Sequence, residues 1–533
     1  MAKESGDTAR PCPRIEGVEA VQERCADLLS DESRLTAPPP ERVYFPETTA
    51  DVSAAVREAA SAGQPLTTSG ARTGIVGGAV PLDSRWVLSL SKMDGVLEIA
   101  ADDDAPWPFV RAQAGVTLTA LGERLAAFDW KSLGLSDPPG GWFYPVDPTE
   151  STAFVGGTVA TNASGGRSYS CGSTRAWVRG LEVVLADGRA VRLRRGDVRA
   201  RDGVIEAPDI LGPRRLELPD IQRPACKCAC GYYVAPDVDL VDVFVGSEGT
   251  LGVVTEVELR LAPLPANILS LMCFLPEGQG GADEGLALVK SLRTDERIRP
   301  LTVEYLGGTA LDMLREEREL SPNSPLPELP PEARTAVFFE VAHETDEELD
   351  ELVVAIDERL GLHGGSLERT WAGDDEATRE KMRVLRHSVP EAANTRVARR
   401  KRDVPELHKV GTDIAVPDAA LDELLVAYRE LIPVSGLEYV MFGHAGENHL
   451  HVNLMPRSVE DLERAKALHE DLARLAVRLG GAVTAEHGVG RLKRKLLEIQ
   501  YGSEGVAALR KVKDFFDPRS LLNPGVMFPR ADE

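Results

Sequence analysis

Long apolar runs are missing from this chain. Nowhere among its 533 residues do eighteen uncharged apolar residues follow one another, and residues 1–40 are polar and Pro-rich, without the apolar stretch of a secretory signal. A membrane span is therefore excluded, and a cytoplasmic protein is expected, at most peripheral at a membrane. Positive charge is in deficit, with 61 Lys and Arg against 85 Asp and Glu and a formal net charge of −24. So acidic a body repels nucleic acid and anionic surfaces, which argues against both as partners. The basic run at residues 398–402 (A-R-R-K-R) reads as a solvated face. Cysteine is scarce: Cys12, Cys25, Cys171, Cys226, Cys228, Cys230 and Cys273 are an odd number in a long chain, which suits reduced thiols better than a disulfide framework. The C-x-C-x-C triplet at residues 226–230 lacks both cluster spacing and a second Cys group, and reads as small side chains on an extended segment. Solenoid repeats are absent too.

What is present suffices for more than one core. Hydrophobic residues make up 43% of a chain longer than a single core usually organises, so two or three compact units are expected. Residues 48–62 predict a helix capped by Thr49 or Asp51, with Val52, Ala55, Val56 and Ala59 on one face and Gly63 as its stop. Residues 181–193 predict a hairpin around Asp187-Gly188, and residues 241–261 predict two more strands around the 246–252 glycines. Beyond Ile268 longer helices are expected at 347–360, 421–431 and 459–479, with strands near Val337 and Tyr439. Residues 38–40 and 321–331 read as loops. The apolar, turn-rich tail at residues 516–528 should fold back onto the body.

Three glycine-rich segments dominate the first half: T-T-S-G-A-R-T-G-I-V-G-G (67–78), V-G-G-T-V-A-T-N-A-S-G-G (155–166) and G-S-E-G-T-L-G (246–252). Glycine lets a backbone turn tightly and approach a ligand, and consecutive N–H groups form a nest for anionic oxygens, so a dinucleotide is the natural guess beside ordinary turns. No G-x-G-x-x-G precedes a helix with a later acidic residue and no G-K-[ST] occurs, which disfavours NAD and ATP.

Taken in order, these segments resemble the FAD-binding half of the vanillyl-alcohol oxidase and p-cresol methylhydroxylase superfamily. V-R-A-Q-A-G-V (110–116), P-T-E-S-T (148–152), K-x-x-x-G-Y (227–232) and the closing D-P-x-x-x-L-N-P-G (517–525) extend the match. The resemblance implies that Gly70, Ala71, Arg72, Thr73 and Gly74 wrap the pyrophosphate, flanked by Ser69, Gly77 and Gly78. It implies further that Gly156, Gly157, Asn162, Gly165, Glu248, Gly249, Gly252 and Val254 line the ring system and adenosine, with Pro148, Ser151, Thr152, Ala160 and Gly166 beside them and Asn523 touching the flavin. Arg72 stands where the family commonly has Gly or Asn, either reaching the pyrophosphate or pointing outward. Relatives that attach flavin covalently carry His or Cys at set places; with Ala71 and Arg72 in this loop, dissociable FAD is expected.

The second half concentrates histidine. F-G-H-A-G-E-N-H-L-H-V-N (442–453) and T-A-E-H-G-V-G (484–490) hold four of nine, namely His444, His449, His451 and His487, and His469 lies between them. On a strand His449, His451 and Asn453 share a face, a preceding loop brings His444 alongside, and Glu486 completes a two-His, one-carboxylate set for Zn, Mn or Fe; a buried polar network is the alternative. This pattern resembles the C-terminal domain of D-lactate and D-2-hydroxyglutarate dehydrogenases and glycolate oxidase subunits. That resemblance implies His444, His451 and Glu486 as metal ligands and His487 as proton acceptor. Where the family reads D-G-N this chain reads Glu447-Asn448-His449, so the substrate-contacting Asn, and with it the substrate, is left open.

The expectation is an α+β protein: an N-terminal segment (1–39), a PCMH-type FAD-binding domain (40–264), an α+β substrate or cap domain (265–510) and a C-terminal segment returning to the flavin (511–533). It should oxidise a small anionic D-2-hydroxy acid, with Arg386 anchoring the carboxylate and Lys409 behind it. A quinone, cytochrome, electron-transfer flavoprotein or oxygen would take the electrons, and a homodimer is among the open states. A metal-dependent hydrolase and an electron-transfer subunit are the rival readings.

Overall fold

The computed structural model describes residues 12–530 apart from 103–106, 136, 137, 139, 321–325 and 374. Part of the predicted 321–331 loop thus lies outside the described residues. Among the described residues the chain builds three large sheets and two of two strands each.

The first sheet runs in the order Arg14–Glu16, Arg42–Tyr44, Trp86–Ser89, Leu66–Ser69, with its last three strands parallel. Parallel strands need a crossover, and the helix Thr49–Ala62 carries the chain from Arg42–Tyr44 to Leu66–Ser69, on either side of Trp86–Ser89. Its cap is Thr48, one residue ahead of the expected position, because the Asp51 carboxylate accepts from the Thr48 N–H while Thr48 Oγ1 accepts from the Asp51 N–H, completing a capping box. Val52, Ala55, Val56 and Ala59 are fully buried as their spacing predicts, and Gly63 ends the helix at φ 62°.

The second sheet is antiparallel, in the order Val96–Ala101, Pro108–Gln113, Val253–Arg260, Val178–Val184, Ala190–Arg194. The predicted hairpin at Asp187-Gly188 joins its last two strands. The strand expected at residue 241 is instead a short helix, Leu240–Phe244, with the Asp239 carboxylate accepting from the Val241 N–H. All five of its residues are buried, so no polar face betrayed the period.

The third sheet is the largest, with strands Thr370–Gly373, Asn267–Leu275, Thr335–His343, Pro300–Leu306, Tyr439–His444, His449–Leu454 and Val410–Gly411 in that order; Ile414–Ala415 also pairs with His449–Leu454. Helices Asp346–Leu362, Leu421–Val434 and Val459–Arg478 match the expected ones to within a few residues. The stretch around Arg386 is one long helix, Glu376–Arg400, which tolerates Pro390 in its interior.

Among the described residues the buried apolar side chains form five clusters, and the largest joins the second sheet to the C-terminal helix. Leu497, Leu509 and Val512 on the helix Arg494–Phe516 pack with Val110, Leu181 and Val257 of the second sheet. Each such fully buried side chain contributes roughly 1.5–3 kcal/mol. The tail then does fold back: Leu522 bridges Leu66 in parallel, the Leu66 N–H donates to the Leu521 carbonyl and the Asn523 N–H to the Leu66 carbonyl.

Candidate active site

The histidines are brought together by strand pairing. Tyr439–His444 and His449–Leu454 form a tight hairpin in which His444 faces His449 and Phe442 faces His451. Asn448 takes the left-handed conformation at φ 53°, tightening the turn. Because side chains alternate, His449 and His451 emerge on one face, their ring centroids 4.4 Å apart and 5.4 and 5.7 Å from His444.

Glu486 meets them from a loop pinned by Asp413. That fully buried carboxylate accepts from the N–H groups of Glu486 (3.3 Å) and His487 (3.1 Å), from Thr484 Oγ1 (2.5 Å), from Lys493 Nζ (2.7 Å) and from His449 Nε2 (3.0 Å). Glu486 Oε2 lies 3.3 Å from His444 Nε2, and Oε1 lies 3.3 Å from His451 Nε2 and 3.4 Å from His487 Nε2. The ligand atoms of His444, His449, His451 and Glu486 all fall within 4.8 Å of one another, as do those of Asp413, Glu486 and His487. The predicted trio is thus assembled, and His469 contributes to neither group.

The electrostatics suit a cation. Burial opposes charge on Glu486, but Lys227, then His444 and His449, hold its carboxyl well below the usual range. Burial likewise opposes protonation of His444, yet Glu304 and then Glu486 raise its imidazole to about 10. Burial, reinforced by His451, depresses His449 to about 3. Burial also lowers His451, so that these two rings favour the neutral form that metals bind. Oxygen and nitrogen donors at these separations fit a divalent ion of the Zn, Mn or Fe type.

Several participants carry no spacing signal and were missed. Glu304, on Pro300–Leu306, accepts from His444 Nδ1 at 2.7 Å and orients that ring. Lys227, quoted in sequence only as a motif position, donates to Glu486 and Glu447 at 2.9 Å each. Arg386 reaches the rim, 3.6 Å from Glu304 Oε1, where Gly166 leaves it room. Lys409 is lowered to about 8 by burial and then by Arg34, a neighbour from the N-terminal segment instead of Arg386.

The glycine segments form the facing wall. A cavity of about 470 Å³ is lined by Ala71, Arg72, Ser89, Ser91, Thr117, Thr152 and Phe154, among others. Beside it the buried hydroxyls of Thr68 and Ser69 lack any protein partner, as expected of groups awaiting a polar ligand. Arg72 sits at φ 62° and pairs with Asp27 at 2.8 Å. The segment at 155–166 corrects the nest reading: Val155–Thr161 is a helix capped by left-handed Asn162. The Gly156 N–H donates to the Ala114 carbonyl, so this amide is not free for an anion; the missing Cβ, which would lie 2.5 Å from that of Ala114, permits the contact. Gly252 is likewise a packing glycine against Val183, beside Val254 in its strand. Ala160 accepts from the Glu248 N–H, Ser151 from Thr119, and Gly165 presses on the Asp147 carbonyl just before Pro148. Asn523 commits its amide to the backbone, accepting from the Thr68 N–H (2.7 Å) and donating to the Glu248 carbonyl (2.8 Å), which ties two glycine segments together. Gly249 leaves it space, while Gly70, Thr73, Gly74, Gly77 and Gly78 lie along the first glycine loop and Gly157 lies in the helix Val155–Thr161.

The two walls touch. Ser164 Oγ donates to Glu486 Oε2 at 3.3 Å, and the Glu248 carboxylate accepts from the N–H groups of Val489 and Gly490 at 2.7 Å each.

Comparison with known proteins places both halves of the chain in one family. Residues 40–194 match the FAD binding domain, and residues 266–527 match the FAD linked oxidases, C-terminal domain. A probable mitochondrial D-lactate dehydrogenase of Danio rerio is 30% identical over 93% of this chain and 86% of its own length. The glycolate oxidase subunit GlcD of Bacillus subtilis is 26% identical (92% and 89% covered), and a D-2-hydroxyglutarate dehydrogenase of Xanthomonas citri 28% (94% and 92%). Among solved structures an alkyldihydroxyacetonephosphate synthase shares the fold, with TM-score 0.55 at 15% identity over 91% of this chain and 77% of that one. By sequence along nearly its whole length, this chain belongs to the FAD-linked oxidases of the PCMH type.

Proposed function

We propose that this chain is a dehydrogenase oxidising a small D-2-hydroxy acid to the 2-oxo acid with dissociable FAD and a divalent metal. The relatives named for D-lactate, glycolate and D-2-hydroxyglutarate support that substrate class. One observation carries the reading: the Glu486-His487 pair lies in the histidine cluster while Ser164 and Glu248 grip the same loop from the glycine wall. When bound, FAD supplies a two-electron acceptor and a metal held by His444, His451 and Glu486 supplies a Lewis acid.

The protein's own groups handle the rest. His487 has Nδ1 3.1 Å from Asp413, which favours a proton there and leaves Nε2 as the base for the substrate hydroxyl. Arg386 offers a fork for the substrate carboxylate at the cluster's rim. Residues 40–264 and 265–510 would act as flavin and substrate units, closed by residues 511–533. No described helix is long and apolar enough to cross a membrane. A quinone, cytochrome, electron-transfer flavoprotein or oxygen would reoxidise the flavin.

The test is anaerobic flavin bleaching against D- and L-2-hydroxy acids, before and after chelation. Bleaching by a D acid, slowed by chelator, is expected. His487→Ala should slow reduction by on the order of 10²- to 10⁴-fold with FAD content unchanged. A colourless protein that cannot be reconstituted, or flavin untouched by any 2-hydroxy acid, would overturn the reading.

A further inference from the structure

We propose that His449 is a third imidazole ligand, so that the metal in this chain is held by His444, His449, His451 and Glu486. The inference rests on the metal site proposed above and changes its ligand set. It starts from a symmetry among the three rings. Each histidine uses one nitrogen on a fixed acceptor and turns the other toward Glu486. His444 gives Nδ1 to Glu304, His451 gives Nδ1 to the Thr412 carbonyl at 3.3 Å, and His449 gives Nε2 to Asp413 at 3.0 Å. In a neutral ring an acceptor of this kind fixes the tautomer and leaves the far nitrogen with a lone pair, the arrangement found behind metal-bound histidines; His444 would release its proton on binding the ion.

His449 completes the pattern in the least expendable way. Its side chain is fully buried, and its Nδ1 has no hydrogen-bond partner although it lies 3.8 Å from Glu486 Oε2. Leaving a buried polar atom unpaired costs roughly 1–3 kcal/mol, so a fold that keeps one aimed at three other donors needs a ligand there. The separations agree. Donors bound at ~2.0–2.1 Å around a tetrahedral ion lie roughly 3.3–3.4 Å apart. His444 Nε2 stands 3.3 Å from Glu486 Oε2 and His451 Nε2 3.3 Å from Oε1, while His449 Nδ1 lies 3.8 Å from Oε2, within reach of the same ion after a small inward shift. A simple structural role for His449 explains the Asp413 bond but not the vacant nitrogen.

The consequence is a site richer in nitrogen than the two-His set, which favours Zn²⁺, Fe²⁺ or Co²⁺ over Mn²⁺ and Mg²⁺. Full-length, flavin-loaded protein, dialysed against chelator and then titrated with Co²⁺ and Zn²⁺, tests it. His449→Asn should weaken Zn²⁺ binding at least about 10- to 100-fold and shift the Co²⁺ absorption bands, while His469→Asn leaves both unchanged. In the unaltered protein loaded with Cu²⁺, electron spin-echo spectroscopy should count three coupled imidazoles. This second measurement needs no variant to fold. Wild-type affinity and spectrum in His449→Asn, or only two imidazoles on Cu²⁺, would overturn the third ligand while leaving the metal site intact. Failure of the unaltered protein to bind any of the three ions would bring down the site and this inference together.

Discussion

The glycine wall and the histidine wall reach order by opposite means. On the glycine side the backbone is the working surface: Gly156 and Gly252 are small so that Ala114 and Val183 can press close, and Asn523 staples two loops through main-chain groups. On the histidine side the working surface is side chains, and every ring is aimed by a buried acceptor, Glu304, Asp413 or the Thr412 carbonyl. The first wall should therefore be sensitive to added volume and the second to removed charge.

Removing charge is expected to have the largest effect. Asp413→Ala strips the acceptor from His449, His487, Thr484 and Lys493 at once and leaves Lys493 without its buried counter-charge, a loss of the ~3–5 kcal/mol kind. Urea unfolding with metal-retention assays checks it. Stability within 1 kcal/mol of wild type would dissolve the contrast between the walls. Adding volume comes next: Gly156→Ala pushes a methyl into Ala114, costing ~1–3 kcal/mol and lowering FAD content, while Co²⁺ binding stays as it was. Equal damage to both ligands would show that the walls do not fail separately.

The smallest effect concerns the contact between them. Burial pushes the Glu248 carboxyl up to about 7 despite the Val489 and Gly490 N–H groups that favour its charged form. An acid raised this way holds its proton when folded at pH values where the unfolded chain has released it. Its contribution is thus full below its ordinary value of 4.5 and is lost as pH rises through about 7. Glu248→Gln should flatten the fall in melting temperature between pH 5 and 7.5. An unchanged slope would assign that pH dependence elsewhere.

How much of this was legible in sequence follows the same division. Strand alternation placed His449 and His451 on one face, and the glycine segments marked the flavin wall, because both signals are local. Asp413 and Glu304, and the role though not the motif of Lys227, were invisible because they act through contacts spanning 36 to 259 residues: 36 to His449, 140 to His444 and, as 486 − 227, 259 to Glu486. The helix Leu240–Phe244 was misread as a strand for a related reason. A segment buried on all sides shows no period.

The return of the tail has a consequence for how the molecule comes into being. Leu522 lies along Leu66, and Asn523 joins Thr68 to Glu248, so one wall of the cleft borrows material from 455 residues downstream. A nascent chain emerging from the ribosome thus carries every histidine before Leu522 and Asn523 can complete this wall of the nucleotide pocket.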